Sequence, residues 1–342
     1  MVPSQDLKVG VPSGIESIAV EGAGDGGFHT RRSVAVVWRR LAAFAVDFLI
    51  LAAVGFVMGT AGGHFFSRLG NWGKLVGFIT AFLYFVPQDS AMGYGQTLGK
   101  RLLGVRVVDA AGGYISLPIS ALRYIIVSAP IFLNGLVMPP GSMGGLAAYA
   151  VYVAVFGLGG GIIYFGLFNR ATRQSLHDIV CGTFVMKEDV DGAPTGRSPA
   201  TLHFVVYGVY FAALIAFLVV GIPMIISTER YQGMSESEAA LEQIKGVRGA
   251  TVSSGNFLNF GDSGNNLRVI VLLESPPESY RDVANKAAGT ALRSYRDIGG
   301  MDSMRVDAEY GYDIGIYRFY TAYSVIKTPD EWKKALGMGP AK

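Results

Sequence analysis

The chain has 342 residues, of which 51% are hydrophobic and only 16% are charged. Soluble domains carry about 25% charged residues, so this composition indicates an integral membrane protein. The net charge of +3 is too small and too dispersed to indicate nucleic-acid binding. Cys181 is the single cysteine, which excludes an internal disulfide, a CxxC zinc site and a redox pair.

Five apolar segments follow an N-terminal tail, residues 1–30, that lacks the apolar core of a signal peptide and is predicted to be disordered. Each segment has roughly the 20 residues that a bilayer requires. They are residues 37–60, 72–92, 117–138, 145–168 and 203–227. The third contains Arg123 and Pro130, so neighbouring helices or water must satisfy the carbonyl that the proline frees.

Basic residues predict the orientation, because cytoplasmic loops carry an excess of Lys and Arg. Two opposite loops hold only Arg68 and Lys74. We therefore predict a cytoplasmic N-terminus and, with five spans, an extracytoplasmic region after Ile226. The basic residues on the predicted cytoplasmic side are Arg31, Arg32, Arg39, Arg40, Lys100, Arg101, Arg106, Arg170, Arg173, Lys187 and Arg197.

A carboxylate, Asp47, lies within the first span, where insertion costs about 2.5–3.5 kcal/mol. Arg40, Ala43 and Asp47 share one helical face, but Arg40 is about 10 Å from Asp47 along the axis. We therefore predict that Asp47 contacts Arg123 of the third span. Two roles stay open for Asp47: a fixed ion pair or hydrogen bond that sets helix register, or a proton- or cation-carrying site.

Glycines recur four residues apart in the first two spans. This spacing lets helix backbones approach closely in lipid, so we predict helix–helix packing there. The run 159–161 in the fourth span predicts close packing or a local break. The recurring glycines are Gly55, Gly59, Gly63, Gly73 and Gly77.

The loop after the second span contains a short basic segment, residues 95–104, that we expect to form an amphipathic helix on the lipid headgroups. Residues 105–109 and 114–116 are β-prone and flank a Gly-rich turn. This pattern predicts a hairpin, to which residues 183–187 could add a third strand.

Three sequence blocks occur in order along the first half of the chain. The first is Arg40-x-x-Ala43-x-x-x-Asp47, the second is Gly95-x-Thr97-x-Gly99-Lys100 with Arg106-Val-Val-Asp109, and the third is Arg173-Gln-Ser-Leu-His177-Asp178 with Gly182-Thr183. Together they resemble the bacterial RDD family, named for an arginine and two aspartates, over about residues 36–187. The resemblance implies a helical protein of the bacterial cytoplasmic (inner) membrane. Some members have been linked to sodium–proton exchange, so it also implies that possibility here.

The candidate residues of the cytoplasmic motif include two neighbours, His177 and Asp178, whose side chains would not face each other on a helix. One interpretation is a proton relay, because histidine titrates near neutrality. The other is an anchoring network with Lys100, Arg106 or Asp109. The full set is Thr97, Lys100, Arg106, Asp109, Arg173, His177 and Asp178.

The C-terminal third, residues 228–342, has a soluble composition. Capping boxes at Ser235–Glu238, Ser275–Glu278 and Thr328–Glu331 predict three helix starts, with two strand patterns between each pair of helices. This order favours an α+β sandwich with helices on one face of an antiparallel sheet. An aromatic set could line an interface or form a plain core: Tyr310, Tyr312, Tyr317, Phe319, Tyr320 and Tyr323.

The predicted fold is thus an all-α membrane bundle of about five transmembrane helices with a soluble C-terminal α+β domain. Its parts are residues 31–187 (RDD-like domain), 188–200 (linker), 201–227 (fifth span) and 228–342 (outer domain). We expect transport of small ions or solutes through Asp47 and Arg123, in a homo-oligomer within the lipid bilayer. The alternative is a non-catalytic scaffold or accessory subunit whose outer domain binds an envelope protein. We expect no enzymatic activity, metal or cofactor.

Overall fold

The computed structural model describes residues 34–190, 192–194, 198–255 and 264–339. The predicted tail, residues 1–30, lies outside these residues, as do Arg31, Arg32, Arg197 and part of the predicted linker. The helices are α1 (Val37–Leu69), α2 (Gly73–Asp89), α3 (Leu98–Leu102), α4 (Leu117–Leu133), α5 (Leu146–Phe168), α6 (Leu176–Cys181), α7 (Thr201–Ile226), α8 (Glu229–Glu242), α9 (Tyr280–Ser294) and α10 (Pro329–Ala335). The strands are β1 (Val105–Asp109), β2 (Thr183–Lys187), β3 (Val247–Gly255), β4 (Asn266–Leu273), β5 (Ser303–Asp313) and β6 (Arg318–Lys327).

In the described part of the chain, three helical stretches are long and apolar enough to cross a membrane: Val37–Asp89, α5 and α7. The first contains α1 and α2, joined by the 3-10 turn Gly70–Trp72. A hydrogen bond from Tyr84 to Asp47 shows that α2 runs back alongside α1. Helix α4 has only 17 residues and ends before the predicted residue 138, because Asn134 is extended. The count of five spans therefore stays a prediction.

Helix α5 contains a π-helical turn, Val153–Leu158, directly before its glycine run. Such a turn frees backbone carbonyls that must find donors in apolar surroundings. The carbonyls of Phe156 and Gly157 accept hydrogen bonds from Tyr210 (2.7 Å) and Tyr207 (3.0 Å) of α7. Close packing of α5 on α7 thus satisfies the turn without ending the helix.

The two short strands β1 and β2 pair antiparallel, from Val105 opposite Lys187 to Asp109 opposite Thr183. The predicted hairpin between residues 105–109 and 114–116 is wrong, so residues 183–187 are not a third strand but pair with residues 105–109 in a two-stranded sheet. The Asp109 carboxylate accepts hydrogen bonds from the amides of Ala111 and Gly113, both 2.8 Å. This tight turn directs the chain into α4 instead of a returning strand.

The outer domain has the predicted order of helix, two strands, helix, two strands and helix. Its sheet has the order β3-β4-β5-β6, and its core packs against α8, α9 and α10. The sheet is mixed, so the prediction of a purely antiparallel sheet is wrong: β4 and β5 are parallel. The cause is α9, which crosses over between them, as a parallel pair requires.

One of the three predicted capping boxes is confirmed, that of Thr328 with Glu331 at the start of α10. The other two are wrong, because α8 and α9 begin elsewhere. Thr228 caps α8 and Ser279 caps α9, each accepting a backbone N–H with its hydroxyl.

The tip of the β5–β6 hairpin, Tyr312–Tyr317, is buried in the helical bundle. Tyr312, Ile314 and Ile316 belong to the same apolar cluster as side chains of α1, α2 and α4, which are Leu51, Phe66, Ala81, Val86, Tyr124 and Phe132. Within the tip, the amide of Ile314 donates to the carbonyl of Tyr317 at 3.0 Å. Irregular backbone at membrane depth is tolerated where protein surrounds it.

The recurring glycines of α1 and α2 form the groove that receives this tip. A Cβ at Gly77 would overlap the carbonyl oxygen of Ile314, and one at Gly59 would overlap the Tyr312 hydroxyl. A Cβ at Gly55 would lie 2.6 Å from the Cβ of Tyr317. The expectation that these glycines serve only helix–helix packing is therefore wrong: they admit a hairpin from the outer domain.

Polar contacts fix the outer domain at the rim of the groove. Lys74 of α2 lies 3.4 Å from Asp313 of the tip and donates to the carbonyl of Asn134. Arg248 of β3 donates to the carbonyl of Ser67 near the end of α1. The two domains are thus joined by an apolar tip and by charged contacts around it.

Candidate functional site

The buried carboxylate of Asp47 is satisfied by three hydrogen-bond donors. Its Oδ1 accepts from the Tyr84 hydroxyl (2.7 Å) and the Gly99 amide (2.8 Å), and its Oδ2 accepts from the Thr97 hydroxyl (2.6 Å). Asp47 has no exposed surface. Three good donors offset much of the cost of removing a charge from water.

The second sequence block holds α3 against Asp47, because two of its residues, Thr97 and Gly99, donate hydrogen bonds to the carboxylate. Thr97 caps α3 by accepting from the Lys100 amide at 3.3 Å while its hydroxyl donates to Asp47. A Cβ at Gly99 would overlap the carbonyl oxygen of Ala43. Only glycine at this position lets its amide approach the carboxylate, which explains the Thr-x-Gly-Lys spacing.

A second buried carboxylate, Asp178 of α6, joins two arginines from different helices. Arg40 of α1 pairs with its Oδ2, and Arg123 of α4 lies 2.7 Å from its Oδ1. The Ser175 amide donates to Oδ2 at 3.1 Å, and the Thr183 hydroxyl donates to Oδ1 at 3.3 Å. Asp178 therefore ties α1, α4, α6 and β2 together.

The charges continue through Asp89, the last residue of α2. Its Oδ1 pairs with Lys100 of α3, and its Oδ2 lies 3.8 Å from Arg123. The sequence of charges is then Arg40, Asp178, Arg123, Asp89 and Lys100, alternating in sign. We call these five residues the charge chain.

His177 lies against the charge chain. Its Nδ1 is 2.8 Å from the Ser175 hydroxyl, and its Nε2 is 3.3 Å from Nη2 of Arg123 and 3.4 Å from Asp178. The expectation that neighbouring His177 and Asp178 would not approach each other is wrong, because both are buried at the start of the six-residue helix α6.

Burial and neighbouring charges set the protonation of these groups. Burial lowers the pKa of His177 to about 3, so the ring is neutral. Burial also opposes ionisation of Asp178, but the positive charges around it, Arg40 foremost, hold its pKa below the usual range. Burial lowers the pKa of Lys100, and Asp89 counteracts part of this shift.

The remaining predicted motif residues support the backbone around the charge chain. Arg106 donates to the carbonyl of Val190 at 3.0 Å, and Arg173 donates to the carbonyl of Val34 at 3.0 Å. Asp109 holds the turn after β1. Of the expected anchoring network with Lys100, Arg106 or Asp109, Lys100 joins the charge chain through Asp89, whereas Arg40 and Arg123 are the direct partners of Asp178.

The expected contact between Asp47 and Arg123 does not form within the described residues, because each has other partners. The sequence prediction missed two residues, Tyr84 and Asp89. Asp89 carried a signal: it is an acidic residue at the end of an apolar segment, eleven residues before Lys100. Tyr84 carried none, because an aromatic residue in a span is typical of packing.

His177 gives an expected pH dependence of stability. Above pH 6.5 its ring is neutral folded or unfolded. Between about pH 6.5 and 3 the unfolded chain binds a proton that the folded chain does not, so stability falls as pH falls, by at most about 1.4 kcal/mol per unit. We expect His177→Asn to flatten the decrease in melting temperature between neutral pH and the lower end of this window, measured in detergent.

The control for this measurement is His64→Asn, because His64 is exposed. It should keep the pH dependence of the wild type. Identical pH profiles for both variants would contradict the assignment of the effect to His177.

Comparison with known proteins finds one family model that matches part of the helical region. The RDD family model matches residues 34–182, which includes α1 to α6 and the whole charge chain. Neither the curated proteins nor the solved structures contain a match to this chain. Helix α7 and the outer domain lie beyond the matched range.

The match agrees with the predicted extent of the resemblance, about residues 36–187. It also agrees with the apolar helices: a chain with three membrane-capable stretches is a membrane protein. Among the described residues, no group of three or more His, Cys, Asp or Glu side chains is placed to hold a metal ion. Residues 34–182 of the chain therefore match the RDD family model.

Proposed function

We propose that this protein is a non-catalytic membrane scaffold that presents its outer domain at a fixed orientation to another protein of the bacterial envelope. The observation that carries the proposal is the burial of the hairpin tip in the glycine groove. A domain that only needed a tether would not require five glycines and a partly buried ion pair to hold it in place. Fixed orientation is useful to a binding module.

The proposed topology has five spans in the bacterial inner membrane, with the N-terminus cytoplasmic and the outer domain extracytoplasmic. Basic residues support it: Arg39, Arg101 and Arg170 lie at the end of the bundle that carries β1 and β2, as the excess of Lys and Arg in cytoplasmic loops requires. The hairpin tip enters from the opposite end, beside the turn between α1 and α2.

The geometry around Asp47 favours the scaffold over a transporter. All three donors to Asp47 come from the protein, and the hairpin tip fills the space between α1 and α2 toward the other end. Two cavities, of about 380 and 310 Å³, lie at opposite ends of the bundle. Asp47 lines neither of them.

Cation or proton exchange is the second candidate, favoured by the charge chain. Alternating charges that join Arg40 to Lys100 beside Asp47 resemble the polar relays that pumps and transporters place in their interiors. Such exchange would use Asp47 and Arg123. It would require a homo-oligomer, because a single bundle of this size leaves little room for an ion translocation path between its helices.

Two measurements on the full chain separate the candidates. Reconstituted in liposomes with a sodium gradient, the wild type should move no more protons than protein-free liposomes. Purified from native membranes after cross-linking, it should carry one envelope protein in fixed stoichiometry. Sodium-dependent proton flux that Asp47→Asn abolishes would replace the scaffold with the exchanger, and the absence of any stoichiometric partner would also count against the scaffold.

A further inference from the structure

A row of aromatic side chains runs from the bundle onto the outer domain. Phe56 of α1 stacks edge-on with Tyr317 at 5.7 Å between ring centroids. Tyr317 lies 6.3 Å from Tyr312, which lies 6.2 Å from Phe319 of β6. Phe56 is 53% exposed and Phe319 is 47% exposed. The row therefore begins on a membrane-facing helix surface and ends on an open strand.

The depth of this aromatic row in the membrane follows from its position along α1. The exposed apolar face of α1 begins at Trp38, and Phe56 lies 18 residues further, or about 27 Å at 1.5 Å per residue. The hydrocarbon core is about 30 Å thick. Phe56 and Tyr317 therefore lie near the far edge of that core, and Tyr312 and Phe319 lie just beyond it.

Helix α2 gives the same level independently. Trp72, which is 72% exposed, begins the return into the membrane, and tryptophan is enriched where membrane meets water. The next residue, Gly73, faces the carbonyl of Asp313 in the hairpin tip. One turn deeper, Gly77 faces Ile314. The tip thus starts at the interfacial layer and extends below it.

We propose that the tip-proximal end of β6, around Phe319, lies in the lipid interface of the leaflet next to the outer domain. The occupant of this exposed surface is lipid, because it continues the membrane-facing surface of α1 through the aromatic row. Aromatic rings with polar edges suit this layer, and the exposed Arg318 suits the headgroups. The proposal rests on the membrane-spanning helices and not on the scaffold function.

If the tip-proximal end of β6 contacts lipid, the opposite end of the strand must lie in water. At 3.3 Å per residue, Ile326 lies about 23 Å along β6 from Phe319. Ile326 has the same exposure, 47%, but lies at the far end of the strand, in water. Two equally exposed apolar residues on one strand should therefore have different environments.

The test places single cysteines in the full chain after Cys181→Ser, which removes the native thiol. Phe319→Cys and Ile326→Cys are labelled with a polarity-sensitive fluorophore and reconstituted in phosphatidylcholine vesicles with nitroxide-labelled lipid. The probe at position 319 should emit at shorter wavelength and lose most of its emission to nitroxides near the headgroup, and less to nitroxides near the chain end. The probe at position 326 should keep its emission in vesicles that contain either of the two nitroxide-labelled lipids.

Two further variants complete the test. Lys286→Cys, on the exposed face of α9, should behave like the probe at position 326. Thr321→Cys, exposed and on the same face of β6 as Phe319, repeats the measurement should Phe319→Cys not fold. Equal quenching at the tip-proximal positions and at Ile326, whether strong or weak, would overturn the proposal.

Discussion

Asp178→Asn should destabilise the protein more than any other conservative change in the charge chain. The substitution keeps the size of the side chain but leaves the buried guanidinium of Arg123 and the largely buried one of Arg40 without their shared counter-charge. Removing one partner of a buried ion pair costs about 3–5 kcal/mol. We expect a fall in melting temperature on the order of 10 °C in detergent, together with a lower yield from the membrane.

The matched control is Asp109→Asn, because Asp109 accepts two amide hydrogen bonds in an exposed turn and an asparagine oxygen can accept them equally. It should melt like the wild type. Adding Arg40→Gln to Asp178→Asn should recover part of the loss, since one unpaired charge is removed. An Asp178→Asn variant as stable as the Asp109 control would show that the charge chain contributes nothing to stability.

Gly77→Ala should displace the hairpin tip, because the new Cβ would overlap the backbone carbonyl of Ile314. Backbone cannot move aside as a flexible side chain can. We therefore expect the overpacking to lower the free energy of unfolding by about 1–3 kcal/mol. We expect a lower melting temperature and faster hydrogen exchange at residues 312–317, measured on the full chain in detergent or nanodiscs.

Gly208→Ala is the matched control, since Gly208 also lies within a membrane helix, α7, and a Cβ there would meet nothing within 4 Å. Alanine is the better helix former by about 1 kcal/mol, so this change should be neutral or slightly stabilising. Equal exchange rates at residues 312–317 in both variants would contradict the seating of the tip in the glycine groove.

Hydropathy and local signals predicted much of the fold, because they depend only on nearby residues. The apolar segments, the order of elements in the outer domain and the capping box of Thr328 with Glu331 are of this kind. The two failed capping boxes have the right residues, but Thr228 and Ser279 are better placed to begin their helices.

Pairings across long separations could not be predicted in this way. The same β-prone pattern at residues 105–109 fits a local hairpin or a partner more than 70 residues away, and only the turn held by Asp109 decides between them. The glycines of α1 and α2 are equally ambiguous, because a space left by missing side chains accepts a helix or a hairpin alike.

The sequence predicts which residues form the candidate site but not which of them contact each other. The three sequence blocks supplied Arg40, Asp47, Thr97, Lys100, His177 and Asp178, and the structure brings them to one end of the bundle. Helical spacing relates residues on one helix, but it says nothing of which helices are neighbours. Spacing alone therefore pairs Arg123 with Asp47, whereas in the structure Arg123 pairs with Asp178, and Asp89 lies between Arg123 and Lys100.

The distance along the chain between Arg40 and Asp178, 138 residues, has a consequence for biogenesis. A ribosome delivers Arg40 and Arg123 to the insertion machinery before it has made the carboxylate that neutralises both. Until Asp178 has been synthesised, each arginine must stay in contact with water or with another negatively charged group. Completion of the bundle therefore depends on translation having reached Asp178, and a chain that ends before it would leave both arginines without their shared carboxylate.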